Sequence, residues 1–352
     1  MPSGAKTLLP NTHILIQGKP LSPVASADLL SVTVSEDLEV PSMFELELVS
    51  WDLAKGKFTW VDDDLFEVGN EVEIKMGYDK EVKTVLVGEI TGLEPEFTPD
   101  ATPMLIVRGY DLRHRLLRGC QTKSFVKMKD SDIASQIARA QGLSPKVSDS
   151  KVIQEYVLQH NLTDWEFLQE RALRIGYEVV VENKDLYFRP HLNDTQKALT
   201  LKYNEDLTEF LPRLSTMGLV QSVEVRGWLP KEKKEVMGKA GVGKEGVKMG
   251  GKAGTGVTKT FGKSSTTVVS QPISSKAEAE QMALGQYQDM AIAYITGEGK
   301  CQGMPSLRAG KVIEITGVGK RFSGLYYVVA TSHHYALDQG YNTTFTVRRN
   351  AS

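Results

Sequence analysis

With 352 residues, 41 % apolar and 24 % charged, the chain has room for two or three domains and the composition of an ordinary globular protein. A formal charge of −2 makes no electrostatic case for a polyanion, so no nucleic-acid partner is expected. Cys120 and Cys301 lack CxxC spacing and indicate neither a disulfide framework nor a zinc site.

The opening MPSGAKTLLP has no apolar signal-peptide core, and no apolar run reaches the length that crosses a bilayer. Synthesis in the cytoplasm, with no membrane partner, is expected. From His13 to about Asp111 the pattern is nearly all β. Leu30, Val32 and Val34 alternate with Ser31, Thr33 and Ser35, and Phe44, Leu46 and Leu48 alternate with Glu45 and Glu47. Val72–Met76, Thr84–Glu89 and Met104–Arg108 continue the series. Asp62-Asp63-Asp64 lacks the alternate spacing and distal Glu of a calcium loop and reads as a solvated turn.

Leu112–Leu117 is short and amphipathic. Asp130 or Ser131 can cap a helix that buries Ile133, Ile137 and Ala138 and stops at Gly142. The densest local signals lie in Tyr156–Pro190. Thr163 and Glu166 form a capping box, with Leu162 and Phe167 as a hydrophobic staple. Trp165, Leu168, Ala172 and Ile175 share one helical face, and Gly176 supplies a left-handed stop; for the aromatics Trp165 and Phe167, core packing is a commoner role than a ligand platform. Tyr177–Glu182 and Leu186–Arg189 then read as a hairpin turning at Asn183-Lys184.

β-character returns from Asp206 and is clearest in Leu219–Trp228. Leu229–Gln271 is rich in Gly, Lys, Ser and Thr, and is expected to be a long mobile loop or one ordered only in an assembly. Within it, Gly238–Lys244 satisfies the Gly-x4-Gly-Lys frame of a phosphate loop. Glu245 stands where Ser or Thr would hold magnesium, and the strand before and helix after are missing from the pattern, so nucleotide binding is rejected. Ser274 or Ser275 begins a helix, with Ser275 and Glu278 as a second capping box and Ala279, Met282, Ala283, Tyr287, Met290 and Ala291 as its apolar face. Tyr294–Lys300 and Lys311–Gly317 resume strands. Leu325–Leu337 and Tyr341–Arg349 form a closing hairpin in which Tyr341, Thr343, Phe345 and Val347 share a face.

Adjacent His333 and His334 point to opposite faces of a strand and cannot chelate one ion. His13, His114, His160 and His191 show no ligand spacing, and there is no Gly-x-Ser-x-Gly elbow. No residue is nominated as catalytic, cofactor-binding or metal-ligating, and no cofactor is expected.

Tyr156, Val157, Gln159, Asn161, Thr163, Asp164, Trp165, Phe167, Leu168, Arg171 and Gly176, in that spacing, resemble the signature of the VgrG and phage late-control-D proteins. Gly109-Tyr110-Asp111 with His114-Arg115-Leu116 is similar to a second element of that family, and Asp130–Leu143 to the helix before the signature. The resemblance implies an α+β, β-rich chain: two related antiparallel β-barrels separated by an α/β insertion, forming a trimeric hub with pseudo-sixfold symmetry. The first barrel would be 1–112 and the insertion 113–195. The second, 196–352, would be interrupted by the loop at 229–271 and a helix at 275–292, with its strands drawn from about 196–230 and 293–350. As a structural baseplate hub of a contractile tail or injection system, it would adapt a hexameric inner tube to a trimeric spike beside baseplate wedge proteins, as part of a phage-tail-like particle. Members of the VgrG group continue into a spike, so the spike is expected as a separate protein or beyond this chain. The rival readings are a tail-associated enzyme (cell-wall hydrolase or nucleotide-binding protein) and a monomeric β-rich glycan-binding module.

Overall fold

The computed structural model describes residues 9–99, 101–191, 196–269 and 272–352. The opening of the expected first barrel (1–8) with its position 100, the last four residues of the expected insertion (192–195) and the end of the expected loop (270 and 271) lie outside the described residues. Two compact units emerge. One holds the described residues up to His114 with Lys300–Ala309 and Ala330–Phe345; the other holds Arg115–Gly299, Gly310–Val329 and Thr346–Ser352.

The first unit is built on β1 (Pro10–Ile16), β2 (Leu29–Asp37), β3 (Met43–Val49), β4 (Glu71–Tyr78), β5 (Glu81–Glu96) and β6 (Met104–Asp111). They bond in the order β1-β4-β5-β6-β3-β2, every neighbour antiparallel, and Ala330–Ala336 continues the sheet beside β2. Period-two alternation explains the core: Phe44, Leu46 and Leu48 are fully buried, as are Val32 and Val34. Burial of each such side chain contributes about 1.5–3 kcal/mol. Leu30 departs from the expected phase. A register shift between Leu29 and Ser31 turns Leu29 inward in its place. Asp63 caps the short 3-10 turn Asp64–Phe66 by accepting the Leu65 N–H at 2.9 Å, so the acidic run is a turn.

The second unit begins with a ribbon, β7 (Gln121–Lys129) against β9 (Ile153–Leu162), then helix α1 (Asp130–Ala140) and helix α2 (Asp164–Arg174). Strand β8 (Ser144–Val147) runs parallel to β11 (Asp185–Pro190), which pairs antiparallel with β10 (Tyr177–Glu182) across the expected turn, where Asn183 has φ 56°. The Thr163–Glu166 box forms in both directions, at 2.9 and 3.1 Å. Trp165, Leu168, Ala172 and Ile175 are buried, and Gly176 has φ 69°. The cap of α1 differs from expectation. The helix starts at Asp130 itself, and the Asp130 carboxylate is taken by Arg171 instead.

Downstream, β12 (Leu199–Lys202) runs parallel to β18 (Val312–Thr316), which also pairs with the start of β19 (Gly324–Ala336). Between them in sequence lie β13 (Leu207–Leu214), β14 (Ser222–Leu229), β15 (Lys234–Gly241), β16 (Ser265–Val268), helix α3 (Lys276–Ile292) and β17 (Ile295–Gln302); β20 (Gly340–Arg349) ends the chain's regular structure. Ser275 accepts the Glu278 N–H, but the Glu278 carboxylate reaches back to Ser274 N, one residue earlier than a capping box requires.

The expectation of a long loop after Leu229 is corrected here. The segment carries β15 and β16, which flank β14 in a separate three-stranded sheet, so β14 does not join the strands expected to form a second barrel with it. The inward positions of β15 are Val236, Gly238 and Ala240. Small residues there let α3 lie directly on the sheet: a Cβ on Gly238 would sit 2.1 Å from the Ala279 carbonyl carbon. Val223, Val225, Leu229, Ala279, Met282 and Tyr287 close this core. Among the described residues, no helix is long and apolar enough to cross a membrane.

Candidate functional site

The residues of the sequence signature are mostly internal ties. Gln159 donates to the Leu162 carbonyl and to Asp164, each at 3.0 Å, and Gln141 donates to the other Asp164 oxygen at 2.9 Å. Arg171 on α2 binds Asp130 on α1 at 2.6 Å with both side chains largely buried, so the two helices are pinned by a charge pair. Phe167 stacks on Phe125 of β7 at 5.6 Å. Asn161 holds a left-handed φ of 49° and donates its N–H to Thr122. Tyr156 is the exception, 60 % exposed.

The Gly109–His114 part of the second element is another tie, in the first unit. Asp111 accepts from Ser42 N at 3.0 Å, Arg113 N at 2.9 Å and Arg113 Nε at 2.7 Å, and Arg113 also donates to the Asp37 carbonyl. His114 meets Glu89 at 2.7 Å. Arg113 is among the largest fully buried side chains. A buried guanidinium tolerates this only because its donors are occupied.

A polar network of the first unit centres on Glu36, which occupies the inward phase of β2 after Val32 and Val34. Arg308 binds it through Nε at 2.7 and 2.8 Å and through Nη2, and Thr331 donates at 3.0 Å. Burial opposes the charge, yet Arg308 outweighs it and the carboxyl lies below its usual range. Next to it, His333 is fully buried between the Leu307 carbonyl, 3.0 Å from Nε2, and the Tyr341 hydroxyl, 2.8 Å from Nδ1. Burial pushes its pKa down to about 4, so the imidazole is neutral at pH 7. His334 bonds Thr33 on the opposite face, as the strand geometry demands.

In the second unit, Glu178 is buried among Arg189 Nε at 2.9 Å, His191 Nδ1 at 3.1 Å and the Tyr327 hydroxyl at 2.5 Å. Asp289 stands 3.7 Å from His191 Nε2. Burial disfavours a charged His191, but the Glu178 hydrogen bond and the two carboxylate charges prevail and raise its pKa.

The phosphate-loop frame is occupied from within. The Glu245 carboxylate accepts the Gly243 N–H at 2.9 and 3.0 Å, the Thr255 hydroxyl, and the Tyr287 hydroxyl at 3.2 Å. An internal anion thus sits on the backbone donor that a phosphate would seek. The end of the chain completes the lock. Asn350 accepts from Met249 N and donates to the Glu245 and Val247 carbonyls, Arg349 donates to the Met249 carbonyl, and Lys252 exchanges two 2.9 Å backbone bonds with Ser352. Gly254 has no space for a side chain, since a Cβ would fall 2.2 Å from the Tyr294 ring. Among the described residues no group of His, Cys, Asp and Glu could hold a metal ion.

The sequence reading passed over Glu36, Arg308, Glu178 and Glu245 as partners. Glu36 alone left a signal, a carboxylate in phase with buried valines.

A family profile described as the Alg8 N-terminal domain matches residues 6–336, nearly the whole chain. The chain belongs to this family. No curated protein matches. Among solved structures, the 43 kDa tail protein of prophage MuSo2 from Shewanella oneidensis is similar, with TM-score 0.73 and 13 % identity over 97 % of this chain and 98 % of that one. A tail protein from Neisseria meningitidis MC58 gives TM-score 0.70 and 12 % identity, covering 97 % of each chain. The Escherichia coli protein c3393, described as a component of the type VI secretion system, gives 0.64 and 14 % over 96 % of this chain and 77 % of that one. This member of the Alg8 N-terminal domain family therefore has the fold of phage tail and type VI hub-like proteins. The resemblance to the VgrG and late-control-D group holds at the level of that fold, while membership lies with the Alg8 N-terminal domain.

Proposed function

We propose that the chain is a structural hub of a contractile tail or contractile injection system, a homotrimer that adapts a hexameric inner tube to a trimeric spike. The end-to-end similarity to a phage tail protein, 97 % of one chain on 98 % of the other, carries the reading, because it spans nearly all of both chains and not one module. In this reading the β-rich regions 1–112 and 196–352, the latter without the separate sheet of β14, β15 and β16, are two related barrels around the block 113–195. Three protomers then offer six like-shaped elements to the tube and three to the spike, with wedge proteins around them. The chain does this work by forming interfaces and makes or breaks no bond. The internal occupation of the phosphate-loop frame by Glu245 supports that side over a nucleotide-using enzyme.

Electron microscopy of the native particle with this chain gold-labelled tests the reading, together with light scattering of the purified chain alone and with its spike. Label between tube and spike, and a mass of three protomers with the spike present, is expected. Label on sheath or fibres, or a monomer in the spike's presence, would overturn it. Thermal stabilisation by magnesium and nucleotide would favour the enzyme instead.

A further inference from the structure

Three features of the second unit meet at the short strand β16. The first is a cleft of about 210 Å3 lined by Thr216, Met217, Leu219, Thr258, Phe261 and Ser264. It is already shaped: Leu219 N donates to the Thr216 carbonyl at 3.1 Å, Thr258 to the Thr255 carbonyl at 2.7 Å and Gln221 N to the Ser264 carbonyl at 3.1 Å. Small-molecule sites begin at roughly 300 Å3, so this one suits a single inserted side chain. Met217 is 93 % and Phe261 76 % exposed, which leaves apolar surface for a partner to cover.

The second feature is an open edge. Strand β16 begins directly after Ser264 and is bonded to β14 on one side, with no strand on the other among the described residues. The third is charge. No Asp or Glu occurs from Gly246 to Ser275, whereas Lys248, Lys252, Lys259 and Lys263 do. All four lysines are exposed, and none forms an ion pair among the described residues. Lys259 and Lys263 alternate in sequence with the residues that line the cleft.

We propose that this face docks an extended segment of a partner protein in which an apolar residue is flanked by Asp or Glu. The segment's main chain adds to the free edge of β16, its apolar side chain enters the cleft, and its carboxylates meet Lys259 and Lys263. The edge selects a peptide over a nucleic acid, since only a peptide backbone supplies alternating N–H and C=O partners. Lysines without arginine fit carboxylates held by charge and not by a bidentate fork. The inference stands apart from the hub reading, because it needs neither a trimer nor a tube.

The test uses the full chain labelled with 13C at methionine methyls, with the Met217 signal assigned by Met217→Leu, titrated with the peptide acetyl-Glu-Asp-Leu-Phe-Asp-Glu-amide. A shift of the Met217 methyl is expected, with affinity lowered about tenfold by Lys259→Glu with Lys263→Glu, and likewise by raised salt. A peptide N-methylated at alternate residues should lose binding. Equal binding of a lysine-flanked peptide would reduce the site to apolar stickiness, and equal binding of the N-methylated peptide would remove the strand addition. Displacement by oligothymidylate would leave only a patch for polyanions, and no shift at about 1 mM peptide would leave no site; each of these results overturns the proposal.

Discussion

Arg308 grips both oxygens of the Glu36 carboxylate, with Nε 2.7 and 2.8 Å from them, inside the first unit. Removing one partner of such a pair is costlier than removing both, because a lone buried charge remains. Arg308→Met is expected to destabilise the protein by about 3–5 kcal/mol, while Arg308→Met with Glu36→Gln should recover a good part of that loss. Urea unfolding of the two variants measures it. A double variant no more stable than the single one would show that the pair is not what Arg308 supports.

His333 gives the first unit an acid-side weakness. Its folded pKa, about 4, lies below the ordinary value of 6.5. A neutral buried histidine must be charged on unfolding, so its contribution is complete above pH 6.5 and is lost as pH falls toward 4. The loss is on the order of 3 kcal/mol. Glu36, also depressed, adds a loss in the same direction below its ordinary value of 4.5. His333→Gln should flatten the stability curve between pH 6.5 and 4 while leaving the lower limb in place, as read by melting temperature in a pH series.

Much of this arrangement was legible from residue order because its causes are local. The capping box of Thr163 and Glu166, the turn at Asn183 and the strand alternation of β3 depend on neighbours within a few residues, and each formed where periodicity placed it. The strands β15 and β16 were hidden for a physical reason. Val236, Gly238 and Ala240 alternate inward, but glycine and alanine carry too little apolar surface to register as a buried strand, and their smallness matters only once α3 packs on them. The charge centres were hidden because their partners are distant in sequence. Glu36 meets Arg308 and Thr331, and Glu178 meets Tyr327, across separations that no local pattern records.

The corrected segment offers a direct check. If Glu245 and Asn350 hold Gly241–Gly254 in place, trypsin should cut slowly at Lys244, Lys248 and Lys252 in the intact chain, although all three are exposed. Asn350→Ala removes the acceptor for Met249 N and two donors to carbonyls, at about 1 kcal/mol per hydrogen bond. Cleavage at these lysines should quicken several-fold in that variant, with the rest of the chain untouched, as followed by mass spectrometry. Equal cleavage in both proteins would mean the chain end does not order the segment.

Gly254 tests the same region from its packing. Its absent side chain makes room for the Tyr294 ring, 2.2 Å from where a Cβ would stand. Gly254→Val should cost about 2–3 kcal/mol as overpacking. Tyr294→Ala added to it should relieve part of the clash at that position, though it leaves a cavity of its own. Non-additivity in a double-variant cycle of melting curves is the expected sign, and simple additivity would place the strain elsewhere.

The second unit should respond to pH in the opposite sense. His191 lies between Glu178, 3.1 Å from Nδ1, and Asp289, 3.7 Å from Nε2. Arg189 shares the Glu178 carboxylate, and Arg348 opposes the charge from a distance. Nδ1 is within hydrogen-bond distance of Glu178, whereas Nε2 makes no hydrogen bond and meets Asp289 only as a nearby negative charge, so both carboxylates favour the imidazolium. With the folded pKa raised above 6.5, the stabilisation is complete below pH 6.5 and disappears as pH rises through the folded value. A 15N titration of the His191 ring should place its midpoint above that of an unfolded histidine, and Asp289→Asn should bring it down. His191→Gln should then remove the alkaline-side decline in melting temperature and leave the acid-side decline of His333 unchanged. A His191 midpoint at or below the ordinary value would mean that the two carboxylates do not hold the proton, whatever their distances.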